Sequence, residues 1–199
     1  MELSHLLGLT MFAIVAAGSP GPNNIMLLTS GANVGFKRTL PHISGIVIGF
    51  AAMLLIIGVG IMKLFASYPM LQQMMQVGCM IYLVYLAYKI ASAQTGVEEK
   101  IAYRPMTLLA AANFQWVNPK AWTMALTAIS LYSVNSTLSS ISMIALVFAI
   151  VTLPCVCFWT LAGTKLQRFL STPRRLRGFN VAMAGLLLSS LLPMLSEVI

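Results

Sequence analysis

The residues most able to do chemistry in this chain lie where none would be expected, inside long apolar runs. In "NFQWVNPKAW", Asn113 to Trp122, Lys120 places a full positive charge beside Asn118 and Pro119. Asn followed by Pro is a helix start: a side chain that caps the first turn, then a residue whose missing N–H is not needed there. A second cluster, "SPGPNN" from Ser19 to Asn24, interrupts the first apolar run. Its Ser19-Pro20 and Gly21-Pro22 pairs can play the same part. A helix start exposes unpaired amides and a partial positive charge, so two of them with an ammonium group form a receptor for an anion such as a carboxylate. Asn23 and Asn24, with carbonyls freed by Pro20, Pro22 and Pro119, supply acceptors for an ammonium group. On this reading Pro20, Gly21, Pro22, Asn23, Asn24, Asn118, Pro119 and Lys120 bind a zwitterion.

The elements that must hold these residues are membrane helices. Of the 199 residues 59% are hydrophobic and 8% are charged, with mean hydropathy +0.88. Soluble domains carry about 25% charged residues. Six apolar runs are long enough to cross a bilayer core: residues 6–31, 40–62, 69–90, 106–131, 138–163 and 179–195. They leave no room for a soluble domain, so residues 1–199 read as one all-α transmembrane unit. The first run lacks the basic leader of a signal peptide. Cys79, Cys155 and Cys157 match neither a redox nor a zinc spacing, and no metal or cofactor is expected.

The net charge of +8 could suggest nucleic acid, but its placement argues against that. Lys37 and Arg38 follow run 1, Lys89, Lys100 and Arg104 follow run 3, and five further basic residues from Lys165 to Arg177 follow run 5; the other side collects only Lys63. Cytoplasmic loops carry the excess of Lys and Arg. Both termini are therefore expected outside, with the basic loops facing the cytoplasm and membrane lipid. Lys120 is the remaining basic residue, and the four acids, Glu2, Glu98, Glu99 and Glu197, all lie outside the runs.

Pro22 and Pro119 are offset by 97 residues, nearly half the chain. The expected fold is six transmembrane helices in two inverted three-helix repeats, about 1–95 and 103–199, joined by a cytoplasmic linker of about 91–105, with helices 1 and 4 broken by proline. Matched broken helices in inverted repeats point to a midplane site in a secondary transporter. The breaks expose backbone, which a bilayer tolerates only where protein or a water-filled cavity covers it. The carbonyls expected to be freed are those of Ala16, Gly18 and Gln115.

Other residues admit two readings. Histidine is the side chain that ordinarily titrates near neutrality, and His42 reads as a surface residue at a helix start, with a pocket or coupling role as the alternative. Asn113 could line the pocket or bond a neighbouring helix. Trp116 and Trp122 flank the second break and could shape a pocket or pack the core. Tyr82, Tyr85 and Tyr88 read as interfacial anchors, with a pathway wall as the alternative, and Pro154 as a hinge. "GIVIG", Gly45 to Gly49, permits close helix packing, within the chain rather than across a dimer seam, although a homodimer is left open.

At "SPGPNN" with the following "GFKRTLPHISGIVIGF", and at "QWVNPKAW", the chain resembles the LysE/RhtB family of bacterial amino-acid exporters over its whole length. Around "FQWVNPKAW" and "SGIVIGF" it is most similar to the branch exporting cysteine and O-acetylserine. The resemblance implies efflux of small amino acids or their metabolites across the bacterial cytoplasmic membrane. The family's motifs fall on Pro20 to Asn24 and on Asn118, Pro119 and Lys120. Some relatives carry an acidic residue early in span 2; "GIVIGFAAM" has none, which argues against lysine-type substrates and an acid-based proton relay. Proton coupling would then rest on His42 or Lys120. Export of inorganic or metal ions is the alternative, poorly served by so few carboxylate, His and thiolate ligands. A membrane enzyme is a weaker one, because spans 3 to 6 contain no His.

Overall fold

The computed structural model describes residues 3–61, 69–93, 103–133 and 137–191. Lys63, Lys100 and the four glutamates lie outside these ranges, as does the side chain of Cys79. Every regular element described is helical: α1 (Leu3–Gly18), α2 (Pro22–Ile56) with a π turn (Ile57–Ile61), α3 (Pro69–Ala91), α4 (Leu108–Phe114) with a 3-10 turn (Gln115–Val117), α5 (Pro119–Tyr132), α6 (Leu138–Leu166) and α7 (Pro173–Ser189). They fall on the six apolar runs, with α1 and the start of α2 sharing the first run and α4 and α5 the fourth.

The expected loop carrying Lys37 and Arg38 is replaced by a turn at one residue. Gly35 has φ 81° and ψ 172°, a left-handed conformation open to glycine and strained for other residues. In an unbroken helix Ser30 and Thr39 would stand about 13 Å apart along the axis. Their hydroxyls instead bond at 2.7 Å, and Leu27 shares a buried cluster with Ile43 and Ile46. The chain therefore reverses at Gly35, and α2 is a hairpin of two arms, 22–34 and 36–56. Lys37 and Arg38 sit exposed in the first turn of the second arm.

Around this hairpin α6 forms the central strut. A Cβ on Gly31 would meet the Thr160 carbonyl, and one on Gly163 the Leu28 carbonyl. The first arm of α2 and α6 thus cross at backbone contact, the packing that small residues permit where lipid offers no hydrophobic drive. Gly45 and Gly49 likewise face the backbone of Leu108 and Ala112 in α4, so the "GIVIG" surface packs within the chain. α6 stays helical through Pro154. On the far side α3 meets α7 through Leu83, Leu86, Met183 and Leu187. Asn33 and Asn180 exchange amide hydrogen bonds of 2.8 and 3.2 Å between the first arm and α7.

The outer surface is apolar. Leu7, Met11 and Val15 on α1, Ile81 and Val84 on α3, and Leu146, Ile150 and Phe158 on α6 are all exposed. So much apolar surface is rare on a soluble monomer. Residues 138–166 form one helix long and apolar enough to cross a membrane, and residues 22–60 are as apolar but fold back at Gly35, which leaves the second arm of α2 as the longer apolar segment there.

Candidate functional site

The two breaks meet. α1 ends at Gly18, Ser19 to Gly21 are non-helical, and α2 restarts with Pro22 in its first turn. α4 tightens into a 3-10 turn and α5 restarts with Pro119 in its first turn, where the Asn118 side chain accepts from the Lys120 amide at 3.2 Å. From that position Lys120 reaches across to the first break. Its Nζ donates to the Ser19 carbonyl at 2.6 Å, to Ser19 Oγ at 2.8 Å and to the Pro20 carbonyl at 3.3 Å. Desolvating an ammonium group is costly, and three oxygen acceptors offset that cost without an acidic partner.

The half-helices beginning at Pro22 and Pro119 run apart from this point. The first arm of α2 ends by Gly35 near Gln167, whereas α5 ends at Tyr132, against Gly8 and Phe12 near the start of α1. Both partly positive ends therefore lie at the level of Lys120. Gly21, the residue before Pro22, supplies no side-chain cap, which leaves the first-turn amides of the first arm without a helical partner.

Polar side chains brace the first break. Asn24 donates to the Ala17 carbonyl at 2.8 Å and the Ser19 carbonyl at 2.7 Å. The three carbonyls expected to be free are all taken: Ala16 by Ser19 Oγ, Gly18 by Trp159 Nε1 and Gln115 by the Asn118 amide. A bilayer interior offers no water to satisfy them, so the protein does so itself. Ser19 and Pro20, not Ala16 and Gly18, present acceptors to Lys120.

A cavity of about 30 Å³ lies beside the amine. Its walls include Asn23, Phe50, Gln115, Lys120, Met124 and Thr152. That is room for a water molecule or two. Asn23 and Gln115 bridge the breaks through an amide pair, Asn23 Nδ2 to Gln115 Oε1 at 2.9 Å and Gln115 Nε2 to Asn23 Oδ1 at 3.4 Å. Gln115 also donates to the Ala111 carbonyl at 2.8 Å. Thr152 Oγ1 is buried and has no hydrogen-bond partner, whereas Thr29, Thr160 and Thr164 each bond the carbonyl one turn back.

Pro20 to Asn24, Asn118, Pro119 and Lys120 are thus brought together, and the other candidates are not. Asn113 is exposed on α4 and lines neither cavity. It stands two residues before the fully buried Gln115, and two residues at about 100° each lie on nearly opposite helix faces. Trp116 and Trp122 belong to the core beside the break, edge to face at 5.8 Å, with Trp122 Nε1 donating to the Trp116 carbonyl. His42 is no surface residue: it is 1% exposed and far enough toward the Gly35 turn to line a second cavity. Tyr82 and Tyr85 line that cavity too, and Tyr88 faces outward. Sequence reasoning named Ser19 only as part of a helix start and Gln115 only for its carbonyl, and it passed over Thr152 and Trp159. Among the described residues no three His, Cys, Asp or Glu side chains come together as a metal would need.

The LysE type translocator model matches residues 14–191, and the chain belongs to that family. It is 30% identical over 181 residues to the "Cysteine/O-acetylserine efflux protein" of Escherichia coli O139:H28 (strain E24377A / ETEC), covering 89% of this chain and 90% of that one. Proteins of the same description in Escherichia coli K12 and Shigella sonnei Ss046 are 30% identical over 160 residues, 79% of this chain and 81% of theirs. No solved structure matches the chain significantly.

Proposed function

We propose that this LysE-type translocator is a single transmembrane unit of the bacterial cytoplasmic membrane that exports small neutral amino acids or their metabolites, of the cysteine and O-acetylserine kind, by alternating access. The observation that carries the reading is the tie between the breaks: the Lys120 amine held by Ser19 and Pro20, at two helix N-termini, with no carboxylate in the spans to neutralise it. The curated relatives named above support the substrate class.

In this reading the substrate carboxylate competes with Ser19 and Pro20 for Lys120. A carboxylate gives shorter, stronger bonds to an ammonium group than a carbonyl does, and the first-turn amides of the α2 arm add further donors. The substrate ammonium group takes the acceptors Lys120 gives up, the Ser19 and Pro20 carbonyls. One molecule thus replaces the tie between two halves of about 1–95 and 103–199. Releasing that tie frees one half to rock against the other, as inverted repeats do around a midplane site. A cavity of about 30 Å³ must widen for this, so binding and movement are coupled. A cationic amino acid would set a second positive charge near Lys120 with no acid to balance it, and is disfavoured.

The topology proposed with this has both termini outside and the basic turns in the cytoplasm. The experiment is reconstitution in liposomes loaded with labelled O-acetyl-L-serine, with and without an imposed proton gradient. Lys120→Met is expected to insert and melt as the wild type does, because Asn24 still holds the Ser19 carbonyl. Its efflux is expected to fall at least about a hundredfold, the loss of one buried charge-assisted contact of about 3 kcal/mol. Wild-type efflux from Lys120→Met vesicles would refute the assignment.

A further inference from the structure

Among the described residues three buried side-chain polar atoms have no hydrogen-bond partner: Thr152 Oγ1 and both ring nitrogens of His42. Thr152 lines the cavity at Lys120. His42 lines a separate cavity of about 490 Å³, whose walls include Tyr82, Lys89, Tyr103, Arg104 and Met26. That volume falls within the range of small-molecule sites, whereas the Lys120 cavity falls well below it. An imidazole without partners is costly in a packed interior and is explained if a ligand completes it.

The two cavities are in line. Three segments pass from one to the other: Met26 to Asn23 in the first arm of α2, His42 to Ile46 in the second, and Ala110 to Gln115 across the end of α4. On each arm of α2 the step is about one helical turn, roughly 5 Å. The larger cavity lies toward the basic end, where Lys89 and Arg104 bring two positive charges to its walls. Lys89 Nζ is 5.7 Å from the centre of the Tyr85 ring, and Tyr82 packs against both Tyr85 and Phe114. Toward the other end, among the described residues, Phe12, Phe50 and Phe148 pack edge to face, with Tyr132 against Phe12. A molecule can therefore reach Lys120 from the basic end more readily than from the aromatic one.

We infer that the 490 Å³ cavity is a second amino-acid site, an antechamber in which Arg104 and Lys89 draw in the carboxylate and His42 supplies a hydrogen bond before the substrate moves one turn onward to Lys120. This rests on the proposed export function and adds a site that function does not require.

The test is equilibrium dialysis of labelled O-acetyl-L-serine against the purified full chain in detergent, at mildly acidic pH where the ester persists. The wild type is expected to bind two equivalents, His42→Leu one, Lys120→Met one, and His42→Gln, which keeps a donor and an acceptor, two. Melting curves taken alongside are expected to match, since His42 holds no partner whose loss would unfold the chain. One equivalent in the wild type, or two in His42→Leu, overturns the antechamber and leaves the Lys120 reading untouched. Two equivalents in Lys120→Met would refute the Lys120 reading instead. Displacement of the His42-dependent equivalent by anionic phospholipid in the micelle would also overturn the inference, reassigning the cavity to a lipid headgroup.

Discussion

The two helix breaks look alike in sequence and do opposite things in the fold. At the first, Gly21 is fully extended, with φ 176° and ψ 177°, and Ser19 and Pro20 turn their carbonyls toward the second break. At the second, backbone pairing hardly lapses: the Asn118 amide bonds the Gln115 carbonyl, and the Ala121 amide bonds the Asn118 carbonyl. What the second break contributes is side chains, Gln115 and Lys120, reaching across. At Lys120 the first break accepts, mainly through backbone carbonyls, and the second donates through a side chain, while the Asn23–Gln115 amide pair joins the two side chain to side chain. Disturbing the first should therefore damage the fold together with transport, and disturbing the second should damage transport alone.

The strongest way to break that comparison is Asn24→Leu. It leaves the Ala17 carbonyl with no side-chain donor and removes one of two donors from the Ser19 carbonyl, at a cost of about 2–4 kcal/mol. Abolished export and a lower melting temperature in detergent are expected, where Lys120→Met loses export alone. Equal stability of the two variants would erase the distinction between the breaks.

Gly21→Ala has a smaller expected effect. An extended backbone accepts alanine, but the new methyl would stand 2.6 Å from Lys120 Cδ and 3.2 Å from Nζ. The flexible lysine stem can yield, so stability should change by no more than about 0.5 kcal/mol. The displaced amine should lower efflux by about tenfold. A melting transition that moves as much as that of Asn24→Leu would mean that Gly21 is structural.

Thr152→Val is the finest test. Removing a buried hydroxyl that has no hydrogen-bond partner should leave stability unchanged or slightly raised. If substrate completes it, KM for efflux should rise by about threefold to tenfold, near 1 kcal/mol for one neutral hydrogen bond. An unchanged KM would take Thr152 off the substrate's path.

The breaks and Lys120 were legible because proline, glycine and a lone charge are loud signals in apolar helices. The tie between them was legible only in outline, since the sequence marks where carbonyls are freed and not which neighbouring donors reclaim them. Trp159 on α6 and Asn24 take some of those carbonyls, and only the packing of α6 and α2 against α1 could reveal it. Asn113 stayed open between pocket and helix contact because depth in the run is easier to judge than helix face. His42 read first as a surface residue and only second as a pocket residue because a loop was expected between the runs ending at 31 and starting at 40. The Gly35 turn shortens that loop and draws the first turns of the second arm inward. Asn23 follows Pro22 as Lys120 follows Pro119, yet across the breaks each bonds a different partner, Asn23 bonding Gln115 and Lys120 bonding Ser19 and Pro20.

The central claim, that Lys120 and the half-helix ends receive a carboxylate, is tested most directly by comparing ligands that differ only there. In the His42→Leu background, which leaves the Lys120 site alone to titrate, affinity with and without Lys120→Met would be measured by calorimetry for O-acetyl-L-serine and for its methyl ester. With Lys120 present the free acid is expected to bind at least about tenfold more tightly, near 1.4 kcal/mol, and with Lys120→Met most of that preference is expected to vanish. A preference for the free acid left undiminished by Lys120→Met would contradict the account.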